Sequence, residues 1–261
     1  MIEDLKRSIA GSNFYQGLLP VDFLFSPRYE CFYVACSKSA CSKTKMLLGS
    51  LQQQKNISHL NPHGKPNTGL ISLDELSTYH AERIISGDGV FRFAFVRNPY
   101  DRIISCYLSR INQLSLAPYD NLILAEKERR RNCALILSWL EKHRPGVERQ
   151  GKVSFSDFIT YIVQQKDFDM DRHWLPQASS LHIDKLHYDF IGRVESYVDD
   201  FSHVCEKIGA FVPRDEIERK INSTVPFVRA DYFTRSLSEA FFDRYRYDFI
   251  AFNYEKNSWL L

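Results

Sequence analysis

Between Phe91 and Ile111 the chain reads FRFAFVRNPYDRIISCYLSRI: an apolar run, an Arg-Asn-Pro break, then an amphipathic stretch. No single element accommodates all of it. Phe91, Phe93, Phe95 and Val96 predict a buried strand, Asn98 is an N-cap residue, Pro99 suits the first helical position, and Asp101 complements the helix dipole. The helix is expected to bury Ile103, Ile104, Tyr107, Leu108 and Ile111 on one arc and to turn Arg102, Ser105 and Ser109 to the opposite, polar side. Strands that run into helix N-termini build open α/β sheets, and anions, phosphate above all, bind at the C-terminal ends of such strands. Arg97 thus marks a candidate anion site, with Ser105 placed to serve the same ligand. The plainer alternative is an arginine paired with a nearby carboxylate and an ordinary helix serine.

A second strand–loop–helix unit lies upstream. ECFYVA (30 to 35) predicts a strand, CSKSAC (36 to 41) a loop, and SKTKMLLGSL (42 to 51) a helix with Met46, Leu47, Leu48 and Leu51 inward. Loop amides, a helix N-terminus and the Lys38 ammonium would converge on one anion, which makes Lys38, Ser39, Ala40, Cys41, Ser42 and Lys43 candidate ligands. SKSACSKT (37 to 44) also has the length of a Walker A loop, with Lys43 and Thr44 in the Lys-Ser/Thr places. Serines stand at both of its glycine positions, and no convincing strand ends in an aspartate to hold magnesium. A nucleotide kinase and a purely structural unit stay open as alternatives.

These two units together resemble the donor-binding modules of sulfotransferases, in particular sulfotransferase family 2, the Golgi-type carbohydrate sulfotransferase group. The spacing of Lys38, Cys41, Ser42 and Lys45 is similar to the group's Pro-Lys-x-Gly-Cys-Ser-x-x-Lys loop, with Ser37 in the proline place and Ala40 in the glycine place. A third block, 171 to 209, resembles the group's downstream part through His173-Trp174, Pro176-Gln177, and Tyr188 to Gly192 leading to Glu195. The resemblance implies a three-layer α/β domain with a mainly parallel sheet and 3′-phosphoadenosine 5′-phosphosulfate (PAPS) as sulfuryl donor, with adenosine 3′,5′-bisphosphate as product and no metal. Arg97 and Ser105 would grip the 3′-phosphate and residues 38 to 43 the phosphosulfate. Lys38 and His173 are the candidate catalytic residues, with Lys38 stabilising the leaving oxygen and His173 acting as base toward a carbohydrate or glycoconjugate hydroxyl. His173 stacked beside Trp174 merely to order a loop is the alternative, and His59, His63, His80, Glu75 or Glu82 could act as base instead. A non-catalytic nucleotide-binding module also stays open. Asn222, Ser223, Thr224 and Arg229 fall where the family often places polar and basic residues over the nucleotide.

The 261 residues, 44% hydrophobic and 25% charged, suffice for one domain with a full core. A net charge of +2 argues against a broad nucleic-acid surface. The dense basic run Lys127 to Arg131 falls in a helix expected from about Asn121 to His143, inside a helical insertion at 112 to 152, and reads as a solvated face, with an acidic-substrate or membrane-surface patch as the alternative. No apolar run is long enough for a signal peptide or membrane span, and the six cysteines read as reduced thiols. A soluble, cytoplasmic, bacterial enzyme is the resulting expectation.

Overall fold

The computed structural model describes residues 22–58, 60–61, 67–72, 75–112, 122–146, 151–219 and 226–261. In chain order, the strands are β1 (Phe23–Ser26), β2 (Cys31–Val34), β3 (Ile71–Ser72), β4 (Phe91–Val96) and β5 (Phe190–Arg193). The helices are α1 (Cys41–Gln53), α2 (Thr78–Ser86), α3 (Pro99–Arg110), α4 (Leu122–His143), α5 (Phe155–Ile162), α6 (Gln177–Leu181), α7 (Tyr197–Lys207), α8 (Arg214–Glu218) and α9 (Arg235–Ala251). They fall into two compact units, one of Met1–Arg97 with Asp167–Ile221, the other of Asn98–Lys166 with Asn222–Leu261.

The first unit is a mixed α/β sheet in the order β3-β1-β2-β4-β5, flanked by helices. Its core strands β2, β4 and β5 run parallel, while β1 pairs antiparallel with β2 and β3 at the other edge. Phe93 sits in register between Tyr33 and Phe190. The period of two sorts the side chains. Tyr33, Ala35, Phe93 and Phe95 point to the face covered by Leu47 and Leu48 of α1, Tyr197, Phe201, Val204 and Cys205 of α7, and Ile217 of α8. On the other face, Phe25 packs against His80 of α2 at 4.7 Å between ring centroids, and Phe23 lies 6.0 Å from the ring of His182. Burial of both faces explains why β2 and β4 read as continuous apolar runs. Gly192 lets β5 approach, since a Cβ there would lie 2.5 Å from Phe95 Cε1. Beside it, Arg92 reaches both carboxylate oxygens of Asp189, Nε to Oδ2 at 3.0 Å and Nη2 to Oδ1 at 3.2 Å.

In the second unit α3 is the central helix. Tyr100 packs against Phe233, Phe241 and Phe249, and Tyr107 against Phe155 and Phe158 of α5. The side of α3 expected to be polar and open is buried as well, with Arg102 and Ser105 each only 2% exposed. An isolated amphipathic pattern cannot show this, because the arginine's neighbour Tyr245 comes from α9, far along the chain. The basic run on α4 is a partly neutralised face: Glu126 pairs with Arg129 and Arg130, and Glu128 with Arg110.

Candidate active site

The loop between β2 and α1 has the backbone an anion site requires. Lys38 and Ala40 both take the left-handed conformation, at φ 68° and 59°, so residues 37 to 40 curl into a tight turn directly before the helix. Turns of this kind direct successive amides inward. Ala40 is the N-cap of α1 and its methyl accepts no hydrogen bond; no acidic residue lies in the first turn. The N-cap side chain therefore satisfies none of the first-turn amides, and no carboxylate of the first turn offsets the positive end of the dipole. Ala40 stands where the resembling group has glycine, and its positive φ gives the reason for that glycine: a Cβ costs roughly 1–2 kcal/mol in this conformation.

The loop side chains divide by depth. Ser39 is fully buried, while Lys38, Cys41 and Ser42 are half-buried. Lys43 turns onto the Tyr197 ring, its Nζ 4.7 Å from the centroid, and burial lowers its pKa from the ordinary lysine value. Thr44 is fully buried, with its hydroxyl 3.2 Å from the Ala40 carbonyl oxygen and 2.9 Å from the Tyr197 hydroxyl. That placement does not suit a magnesium ligand. Lys45, 2% exposed, sits 3.3 Å from Asp22 Oδ1 as part of the core.

Arg97 follows β4 directly, and its backbone is held by a residue to which the sequence assigned no role. Gln177, at the start of α6 and fully buried, accepts from the Arg97 N–H at 2.9 Å and donates to the Arg97 carbonyl at 2.8 Å. The same Oε1 accepts from Ser39 Oγ at 3.0 Å. The sequence signal was present, since Pro176-Gln177 belongs to the third block, but nothing in the pattern shows that the amide is buried.

His173 lies four residues before Gln177 in a segment held at both ends. Its neighbour Arg172 bonds Asp22 Oδ2 at 2.9 Å. The His173 ring is oriented by Asp171, whose Oδ1 is 2.6 Å from Nδ1 and also accepts the His173 backbone N–H at 2.9 Å. With Nδ1–H given to a carboxylate, a neutral imidazole carries its lone pair on Nε2, the state a base needs. Asp171 is a second residue the sequence reading missed.

The other candidate bases are engaged locally or exposed. Glu75 bonds the amide and hydroxyl of Ser72, His80 meets Ser77 Oγ and the Phe25 ring, and Glu82 is exposed. His59, His63, Asn222, Ser223 and Thr224 lie outside the described residues. Lys38 to Lys43, Arg97 and His173 all belong to the first unit, whereas Ser105 belongs to the second. Arg229, also in the second unit, forms a two-pronged pair with Asp101, Nε to Oδ1 at 2.5 Å and Nη2 to Oδ2 at 2.8 Å.

No solved structure matches this chain. It is 25% identical over 192 residues to carbohydrate sulfotransferase 14 of Danio rerio, covering 72% of this chain and 48% of that protein. It is 25% identical to carbohydrate sulfotransferase 9 of Homo sapiens, covering 87% and 52%, and 22% identical to carbohydrate sulfotransferase 11 of Mus musculus, covering 89% and 66%. The chain thus spans about half to two thirds of the length of these relatives. The family model described as "Sulfotransferase family" matches residues 21–255, from just before β1 to just past α9, and the chain belongs to that family.

Proposed function

We propose that this chain transfers a sulfuryl group from PAPS to a hydroxyl of a carbohydrate or glycoconjugate. The observation that carries the reading is the turn at Lys38 to Ala40, left-handed at both residues and followed by a helix whose N-cap offers no side-chain acceptor, with Arg97 at the end of the neighbouring parallel strand. Two anion sites on adjacent strands suit a nucleotide phosphorylated at both 3′ and 5′ positions. The family match runs through both compact units, and Ser105 is kept as a further 3′-phosphate ligand on the family resemblance alone. The relatives' names supply the acceptor class.

When bound, PAPS supplies an activated sulfuryl group with adenosine 3′,5′-bisphosphate as leaving group. His173 takes the acceptor's proton at Nε2 as the acceptor oxygen bonds to sulfur, and the bond from sulfur to the bridging phosphate oxygen breaks. Lys38 and the α1 amides stabilise the charge that accumulates on that oxygen. Asp171 holds His173 in the required tautomer and stabilises the imidazolium that forms. The kinase alternative has no support, given the burial of Thr44 and the family. The reading includes a reducing, cytoplasmic setting. It is supported by six cysteines that stand as thiols, with Cys31 pushed up to about 12 and Cys205 to about 11 by burial. No helix among the described residues is long and apolar enough to cross a membrane.

Calorimetric titration with adenosine 3′,5′-bisphosphate tests the donor site. Binding without magnesium, weakened roughly 10- to 100-fold by Arg97→Ala, is the expected result, since one charge-assisted contact contributes about 1.5–3 kcal/mol. Absence of binding, or equal binding by the variant, refutes the assignment. Transfer of label from PAPS to carbohydrate acceptors then defines the substrate. For the base, His173→Ala should abolish the acidic limb of the kcat–pH profile while sparing affinity for the bisphosphate.

A further inference from the structure

Resting on the sulfotransferase reading, we propose that Gln177 is a positioning residue that sets the spacing between the phosphosulfate loop and the 3′-phosphate arginine, and so makes the site selective for a 3′-phosphorylated nucleotide.

The argument begins where the sheet stops. The parallel ladder joining β2 to β4 ends at Val34↔Ala94. Beyond it the two chains carry the proposed phosphate ligands, Lys38 to Ser42 on one and Arg97 on the other, without the ladder to hold them in register. The Gln177 amide spans this gap. Its Oε1 and Nε2 close a two-bond ring on the Arg97 peptide groups, at 2.9 and 2.8 Å, as a neighbouring strand would. Oε1 also holds the hydroxyl of Ser39, which lies between the two left-handed residues of the loop. One rigid amide therefore meets the backbone of the arginine and the centre of the loop.

The chemistry requires glutamine. Arg97 presents one donor and one acceptor, and only an amide answers both; a glutamate would set a carboxylate oxygen against the Arg97 carbonyl. The same complementarity fixes which end of the amide is oxygen. Gln177 and Ser39 are both 0% exposed, so the glutamine amide is shielded from water and its unmade bond to Ser39 is not replaced by solvent. Pairing a fully buried side chain to backbone costs no rotamer freedom at the moment a ligand arrives, which is how a site is preorganised.

A packing residue and a spacing residue differ in what they do to selectivity. The test compares adenosine 3′,5′-bisphosphate with adenosine 5′-phosphate by calorimetry, for the unmodified chain, Gln177→Leu and the milder Ser39→Ala, which breaks only the loop side of the bridge. The expected result is that both variants lower the ratio of the two affinities by about tenfold, or 1.4 kcal/mol, because the loop still binds the 5′-phosphate while Arg97 is no longer in register with it. Equal weakening toward both nucleotides, or an unchanged ratio, overturns the proposal. If Gln177→Leu does not fold, Ser39→Ala alone decides between these outcomes. An unmodified chain that gains nothing from the 3′-phosphate overturns the sulfotransferase reading itself, a result distinct from an intact preference that survives loss of the bridge.

Discussion

The turns that follow β2 and β4 are two solutions to one problem. Each carries the chain from a buried parallel strand into a helix, and the strands are neighbours in the sheet. After β2 the turn is left-handed at Lys38 and Ala40, and α1 begins with no side-chain acceptor at its N-cap. After β4 the corresponding positions are filled: Asn98 accepts from the Tyr100 N–H at 3.0 Å, Pro99 has no N–H to offer, and Asp101 in the first turn of α3 is held by Arg229. The first helix spends none of its N-terminal charge on a side-chain cap. The second has used it on its own cap. The same strand-to-helix motif thus ends in two different ways: after β2 the N-cap side chain leaves the first-turn amides to other acceptors, whereas after β4 the helix caps itself and the Arg97 peptide is anchored by Gln177, so that in the proposed function backbone amides would hold one phosphate and the Arg97 side chain the other.

The largest expected effect sharpens that contrast. If the α1 turn supplies amides for binding and Lys38 supplies charge for the leaving oxygen, Lys38→Ala lowers kcat by about 10²- to 10³-fold and changes affinity for adenosine 3′,5′-bisphosphate far less. Steady-state kinetics with calorimetry separates the two, and a change confined to affinity would contradict the assignment. Next in size is an acid sensitivity in the helix that carries Gln177. His182, the C-cap of α6, is buried and its pKa falls from the ordinary 6.5 to about 4, first through burial and then through Lys185. The unfolded chain takes up this proton below 6.5 and the folded chain only below about 4, so this group's contribution is full above 6.5 and is lost toward 4, by up to roughly 1.4 kcal/mol per pH unit. His182→Asn, which tolerates the left-handed backbone at φ 49°, should flatten the dependence of the urea midpoint on pH across that window.

Two smaller effects of opposite sign set the caps against each other. Asn98→Ala removes the α3 cap and should destabilise the protein by about 1 kcal/mol, visible as a lower denaturation midpoint. Ala40→Gly relieves the left-handed strain in the α1 turn and should stabilise by about 0.5–1 kcal/mol, with affinity for the bisphosphate retained. A destabilising Ala40→Gly would mean that the turn is not strained.

Much of this was legible in the sequence for reasons that can be named. Strand β4 and the start of α3 follow from a six-residue apolar run, Asn98 and Pro99, all local signals. The buried face of α7 follows from Phe201, Val204 and Cys205 at helical spacing. Less legible was the far side of α3, where Arg102 and Ser105 are buried and Arg102 lies near Tyr245 of α9, more than 100 residues away in sequence. The spacing around Lys45 resembled a phosphate loop, yet its ammonium is committed to Asp22, a partner that no local pattern reveals.

By itself, then, the sequence determined the two strand-to-helix turns and the residues that end them, because helix caps, proline and apolar periodicity act over a few residues; the sulfotransferase type of fold came from the resemblance that those blocks carry. Only the tertiary structure decided which of those residues work together. Gln177 reaches Ser39 across 138 positions and Arg97 across 80, and Asp22 gathers Lys45 and Arg172 from the two sequence segments of the first unit. These bonds form because a polar group taken out of water must find a partner wherever the fold supplies one, and a sheet that stops short leaves such groups exactly where its strands end.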